Sequence, residues 1–376
     1  MTRWLIISMK RTFVVLALTL LLPASSGLAR TRSVQRETPS IIAAVDAIAQ
    51  QALEERVPGL VIAVSLDGRF LFERAYGVQN LSTGTPVETD TIFQVASVTK
   101  QFTAAAIMKL VERDQLDLHA DVRSILPEVE TGDHTVTVEH LLTHTSGLPN
   151  YIEGTLDLHE PVTHAEMVAA LNSKSMRFAP GTKWEYNNAG YYLLGMIIER
   201  LGGVGYPQFL EEELLHPLGL VETAYCGRPP AWPVPDGYLQ FGSLAPVQFA
   251  AMDMSIPFAA GALCSTAEDL VRWARALEEG RILLPESYEA MTTNFELTTG
   301  QKVGYGYGLG VGSWNGQTII SHSGGIPGFS SFLMVAPESG LTVAVVANLL
   351  STVRGVASEI GQDVAELFAE RITGSN

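Results

Sequence analysis

Apolar and polar positions follow two rhythms along this chain, a period of two near its ends and a helical period between. Residues 41–56 place Ile41, Val45, Ile48 and Leu53 at helical spacing. Pro58-Gly59 breaks that pattern. The apolar run 60–66 and the mixed run 69–77 then flank Asp67-Gly68, the signature of a tight hairpin. A short apolar run at 91–96 reads as a strand and leads into a helical pattern over 102–111, rich in alanine. From Asp117 to about Ile256 the strand signal thins. Helices are predicted over 138–143, 165–173, 190–201 and 206–215, the third with Leu193, Leu194, Ile197, Ile198 and Leu201 on one stripe and Gly202-Gly203 behind it. Strand patterns return at 305–311, 318–321, 329–335 and 341–347, and a helix over 356–368 closes the chain.

These elements predict an α/β (α+β) fold. Its antiparallel sheet has about five strands, is built from both ends of the chain and is flanked by N- and C-terminal helices. Residues 30–116 and 257–376 form this sheet domain, and 117–256 an inserted, mainly helical domain. A proline-rich stretch over 226–257 is too long for a plain connection and is expected to wrap a substrate cleft.

Before that, Lys10 and Arg11 precede an apolar run over 13–22, Pro23, and the small residues Gly27-Leu28-Ala29. That order is a secretory signal, with residues 1–29 removed after Ala29. The run is short of the roughly 20 apolar residues a membrane span needs, so no stable span is expected after cleavage. Export places the protein in the periplasm or outside the cell. The full chain of 376 residues is 47% hydrophobic, which keeps a sizeable core in prospect. A formal net charge of −16 argues against nucleic acid or anionic membrane as a partner. Cys226 and Cys264 are the two cysteines, and spacing alone leaves open whether they meet.

Three short stretches carry candidate chemistry. Ser97-Val98-Thr99-Lys100 opens the helix of 102–111. Positions i and i+3 share a helix face, so the amine reaches the hydroxyl, and the helix N-terminal field should press Lys100 toward its neutral form. In Trp184-Glu185-Tyr186-Asn187-Asn188, Tyr186 and Asn188 project to one side if the segment is extended. A tyrosine can relay a proton and an asparagine can hold both a lysine and a carbonyl. His322-Ser323-Gly324-Gly325 is expected to end the 318–321 strand, its glycines exposing N–H donors suited to an oxyanion hole. The alternating glycines of 304–312 do not give the spacing of a phosphate loop, and no helix follows them.

Ser97-x-x-Lys100, Tyr186-x-Asn188 and His322-x-Gly324, in this order and at these separations, resemble the β-lactamase-related serine hydrolases. That family covers class C β-lactamases, D,D-peptidases, D-aminopeptidases and related esterases. The stretches 141–148 and 261–270 resemble it as well, so the likeness covers about residues 40–370. It implies a β-lactamase/transpeptidase-like fold and an acyl-enzyme formed on Ser97. Lys100 and Tyr186 would share the general base and acid work, and Asn188 would orient Lys100 and the substrate. The N–H groups of Ser97 and Gly325 would hold the oxyanion. No cofactor and no metal are implied, and the substrate is a small ester, peptide or amide.

One position departs from the pattern. β-Lactamases and many D,D-peptidases of this kind resemble Lys-Thr-Gly where this chain has His322-Ser323-Gly324. A group largely neutral at pH 7 replaces a fixed cation. That favours an esterase or amidase over an efficient β-lactamase. Two other readings remain at this stage: an inactive ligand-binding protein on the same scaffold, and a zinc hydrolase using His140 and His144. The second lacks the glutamate of His-Glu-x-x-His, since Leu141 stands there. An α/β-hydrolase is excluded by the lack of a Gly-x-Ser-x-Gly elbow.

Overall fold

A computed structural model describes residues 27–150, 157–227, 233–314 and 316–374. The apolar run expected as a signal lies outside these residues, as do parts of the 147–164 loop and of the proline-rich stretch. The chain divides into two compact units, Met1–Ile41 and Ile42–Asn376. The described part of the first is helical, and the expected cut after Ala29 falls inside helix α1 (Gly27–Glu54).

In the second unit the chain passes from α1 through the hairpin β1 (Gly59–Leu66) and β2 (Arg69–Gly77). Asp67 and Gly68 both take positive φ, as the tight turn requires. Next come β3 (Phe93–Gln94) and α2 (Thr99–Glu112). The helical region holds α3 (Val138–Leu142), α4 (His164–Asn172) and α5 (Asn188–Gly202), then α6 (Tyr206–Leu210) and α7 (His216–Leu218). Short strands β4 (Ala224–Tyr225), β5 (Tyr238–Gln240), β6 (Val247–Gln248) and β7 (Leu263–Ser265) follow. Helices α8 (Ala267–Glu278) and α9 (Pro285–Thr292) lead to β8 (Gly310–Trp314), β9 (Gln317–Ile326), β10 (Phe329–Ala336), β11 (Leu341–Ala347) and β12 (Leu349–Ser351). Helix α10 (Val356–Gly374) closes the order.

The main sheet has six strands, one more than expected, in the order β2-β1-β11-β10-β9-β8. Every pair is antiparallel. Strand β1 pairs with β11 from Leu60 opposite Ala347 to Leu66 opposite Leu341, so the two ends of the chain meet at the sheet's centre. Both strands are apolar and buried, because helices cover both faces. Val61 and Ala63 face a core shared with α8 and α2, where Trp273 stacks on Phe102 at 3.9 Å. Phe332 faces α10, close against Gly361.

Three expectations are corrected. The 305–311 strand forms only from Gly310. Residues 304–309 are a bent loop whose glycines let backbone approach backbone: a Cβ on Gly308 would stand 2.5 Å from the Lys100 carbonyl. The 206–215 helix is interrupted, because a π turn at Glu211–Leu215 separates α6 from α7. The 318–321 strand does not stop before His322. It runs through Ile326, so His322, Ser323, Gly324 and Gly325 are strand residues.

Candidate functional site

Ser97 sits where β3 turns into α2. Ala96 before it has φ +47°, a left-handed conformation that costs a non-glycine residue about 1 kcal/mol and tends to mark sites where geometry matters. The chain therefore makes a short 3-10 turn over Ala96–Val98 before the helix proper, and the Ser97 side chain caps nothing. Gly324 explains how the strand comes so near this turn. A Cβ there would lie 2.3 Å from the Val95 carbonyl and 2.2 Å from Ser331 Oγ. Ser331 in turn donates to that same carbonyl at 2.6 Å.

Lys100 is fully buried one helical turn on. Its Nζ lies 3.2 Å from Ser97 Oγ, 2.8 Å from Asn188 Oδ1 and 2.6 Å from the Ala260 carbonyl. All three neighbours are uncharged. Burial with no counter-charge holds the amine well below its usual range. The expected effect is present, but its cause is desolvation rather than the helix field. The amine donates to the Asn188 and Ala260 oxygens and to Ser97 Oγ, which places it one hydrogen bond from the hydroxyl.

Tyr186 arrives from the loop before α5, and Asn188 is the first residue of that helix. Asn187, between them, is the true N-cap: its Oδ1 accepts from Gly190 N–H at 3.0 Å. That frees Asn188 to reach Lys100. The Tyr186 hydroxyl hydrogen-bonds the Ser97 side chain, and burial pushes its pKa upward, so it stands protonated. The Tyr186 ring lies 4.9 Å from Lys100 Nζ.

His144 holds this loop in place. It has φ +60° and is buried. Its Nδ1 accepts from Asn187 N–H at 3.1 Å and its carbonyl accepts from Glu185 N–H at 3.0 Å. Its ring packs 4.4 Å from Tyr186, 4.8 Å from Tyr305 and 5.1 Å from Tyr191. His140 has a separate task, closing a capping box with Thr137 at the start of α3. The two histidines thus serve different local structures, and no group of three or more metal-ligating side chains occurs among the described residues.

His322 lies on the buried face of β9. Its Nδ1 donates to the Ser323 carbonyl at 2.6 Å, which leaves Nε2 to accept from Tyr305 Oη at 2.9 Å. Burial, with Lys100 nearby, pulls its pKa down to about 3. The ring is neutral, with both nitrogens engaged. Tyr305 and the Ala260 carbonyl are site groups that pattern reading overlooked, and His144 it weighed only as a zinc ligand. Only the fold brings these groups to Lys100, Asn187 and His322.

A cleft of about 250 Å³ opens beside Ser97, with Asn188 and Gly325 on its walls. The end of the proline-rich stretch supplies Met252, Ile256 and Pro257. The strand β7 that follows Ala260 pairs with β4, and a Cys226–Cys264 disulfide joins the two segments. Among the described residues no helix is long and apolar enough to cross a membrane.

Comparison with known proteins matches residues 45–367 to the Beta-lactamase family model. "Penicillin-binding protein 4" of Amycolatopsis lactamdurans is 33% identical over 346 residues, spanning 84% of this chain and 86% of that protein. "Protein flp" of Staphylococcus aureus is 27% identical over 322 residues, spanning 82% of this chain and 63% of its own length. Among solved structures, the D-amino acid amidase of Ochrobactrum anthropi SV3 in complex with L-phenylalanine amide superposes with a TM-score of 0.77 at 25% identity. That match covers 90% of this chain and all of the amidase.

Proposed function

The chain belongs to the β-lactamase family of hydrolases, and on that footing we propose that it is an exported serine hydrolase acting through an acyl-enzyme on Ser97. The observation that carries this reading is the buried Lys100, 3.2 Å from the Ser97 hydroxyl and pressed by burial toward the neutral amine that can take a proton. Lys100 takes the Ser97 proton as Oγ bonds the substrate carbonyl carbon. The oxyanion that forms is held by the N–H groups of Ser97 and Gly325. Tyr186, protonated at rest, hands its proton to the departing oxygen or nitrogen and regains one from the Lys100 ammonium. Water then repeats the sequence on the acyl-enzyme and releases the acid. Lys100 and Tyr186 thus divide the work, the amine as base and the phenol as acid.

The substrate in this reading is a small ester or amide. An amidase among the structural relatives supports it. A neutral His322, engaged on both sides, supports weak or absent β-lactamase activity, because it offers no cation to a substrate carboxylate. The test compares residues 30–376 with the Ser97→Ala variant on p-nitrophenyl acetate and on nitrocefin. Ester turnover lost in the variant, with nitrocefin turned over slowly or not at all, is the expected result. Equal rates in the two proteins would remove Ser97 from the mechanism.

A further inference from the structure

The cleft beside Ser97 has a chemical character of its own. Among the described residues lining it, only Ser97 and Asn188 carry polar side chains, and none is ionisable. Leu158, Met252, Ile256, Ile326, Pro327 and Leu350 supply its side-chain surface. A charged group entering there would lose its water and find no partner. Its size, about 250 Å³, falls below the roughly 300–1,000 Å³ of sites for drug-sized molecules.

The position of Tyr186 gives the cleft its role. Tyr186 touches Ser97, yet it is not among the residues facing the cleft. A leaving group that takes the Tyr186 proton therefore lies on the other side of Ser97. The cleft is left for the acyl part, whose carbon bonds Oγ.

We propose that the preferred substrates are esters or amides of short, uncharged, apolar carboxylic acids, with the acyl chain seated in this cleft. The proposal rests on the Ser97 hydrolase reading and narrows it. Acylation forms the Oγ–acyl bond and breaks the bond to the alcohol or amine, which leaves with a proton. Water then cleaves the acyl-enzyme and restores the serine hydroxyl. The product is a carboxylic acid that ionises at neutral pH.

The test holds the leaving group constant. kcat/KM is measured for the p-nitrophenyl esters of acetate, butyrate and hexanoate. The mono-p-nitrophenyl ester of succinate adds an anion at the chain end, and that of 4-(trimethylammonio)butyrate adds a cation. From acetate to butyrate the expected gain is about fourfold per methylene, the equivalent of burying one CH₂. Both charged esters should fall about 50-fold or more below butyrate. Met252→Lys, at a partly exposed position on the wall, should raise succinate relative to butyrate by about tenfold. If succinate matches butyrate while Ser97→Ala abolishes both, the acyl assignment fails and the hydrolase stands. The acyl assignment also fails if Met252→Lys folds, by circular dichroism, and leaves the ratio unmoved. If wild type and Ser97→Ala act alike on every ester, the hydrolase reading fails and takes this inference with it.

Discussion

The helix side and the strand side of the site each bury one ionisable nitrogen base, and each base is neutral for the same reason. Lys100 on α2 and His322 on β9 are both desolvated, and neither touches a carboxylate. They differ in their partners. Lys100 holds the Asn188 and Ala260 oxygens and has a third contact, at 3.2 Å, to the Ser97 hydroxyl. His322 gives its one N–H to the Ser323 carbonyl, and its one lone pair receives Tyr305. A shifted pKa alone does not mark a catalytic group. What sets Lys100 apart is its contact with the proposed nucleophile, a contact His322 lacks.

This contrast breaks most easily by mutation on the helix side. Ser97→Ala and Lys100→Ala should each lower kcat by roughly 10⁴-fold or more. The double variant should be little worse, because the pair works as a unit. Steady-state ester hydrolysis checks this, and additive losses would mean that the amine and hydroxyl act separately. The disulfide comes next. It braces β4 against β7, just beyond the Ala260 carbonyl that holds Lys100, and it closes a loop of 38 residues. Reduction, or Cys226→Ser with Cys264→Ser, should cost about 3–4 kcal/mol in a denaturant melt.

On the strand side, His322→Ala takes one of two partners from the buried Tyr305 hydroxyl and should cost about 1 kcal/mol of stability. Its kcat for neutral esters should stay within about tenfold of wild type. A loss as deep as that of Lys100→Ala would put His322 among the reacting groups after all. A slope of stability with pH tests the same burial. Unfolded, His322 takes up a proton near its ordinary 6.5; folded, it does so only near 3. The unfolded state binds more protons throughout that window, so stability falls as pH drops through it, by at most about 1.4 kcal/mol per pH unit from this group. His144 is shifted in the same direction and adds to the slope. Urea melts between pH 7 and pH 4 measure it. A flat response would mean that His322 is not buried as a neutral ring.

Much of this site was legible in the sequence because its first pair is local. The three-residue step from Ser97 to Lys100 runs from the 3-10 turn into the start of α2, and the hairpin, α5 and the terminal strands each carry an unambiguous period. What escaped depends on tertiary approach. The glycines of 304–309 look like an alternating strand, but they are bends that let the loop press on α2. His322 and Gly324 looked like a strand end because glycine usually weakens strands. Here the strand continues because a bare position is what lets it lie against the Ser97 turn. His144 resembled half of a metal pair, whereas its ring nitrogen caps the loop that carries Tyr186 and Asn188. Asn187 and Asn188 could not be told apart by type, and only the helix start decides which one caps and which one faces Lys100.

Strand β1 lies between β2, its neighbour in sequence, and β11, made almost last. A ribosome adds roughly 5–20 residues per second, so β1 waits on the order of tens of seconds for that partner. Throughout that interval its Leu60–Leu66 edge has no mate, and the Ser97 helix exists without the strand that presses against it. The nascent chain is thus inert as an enzyme and sticky as a polymer until the last strands are made. A holding chaperone, or a transport route that accepts unfolded chains, fits such an order of assembly.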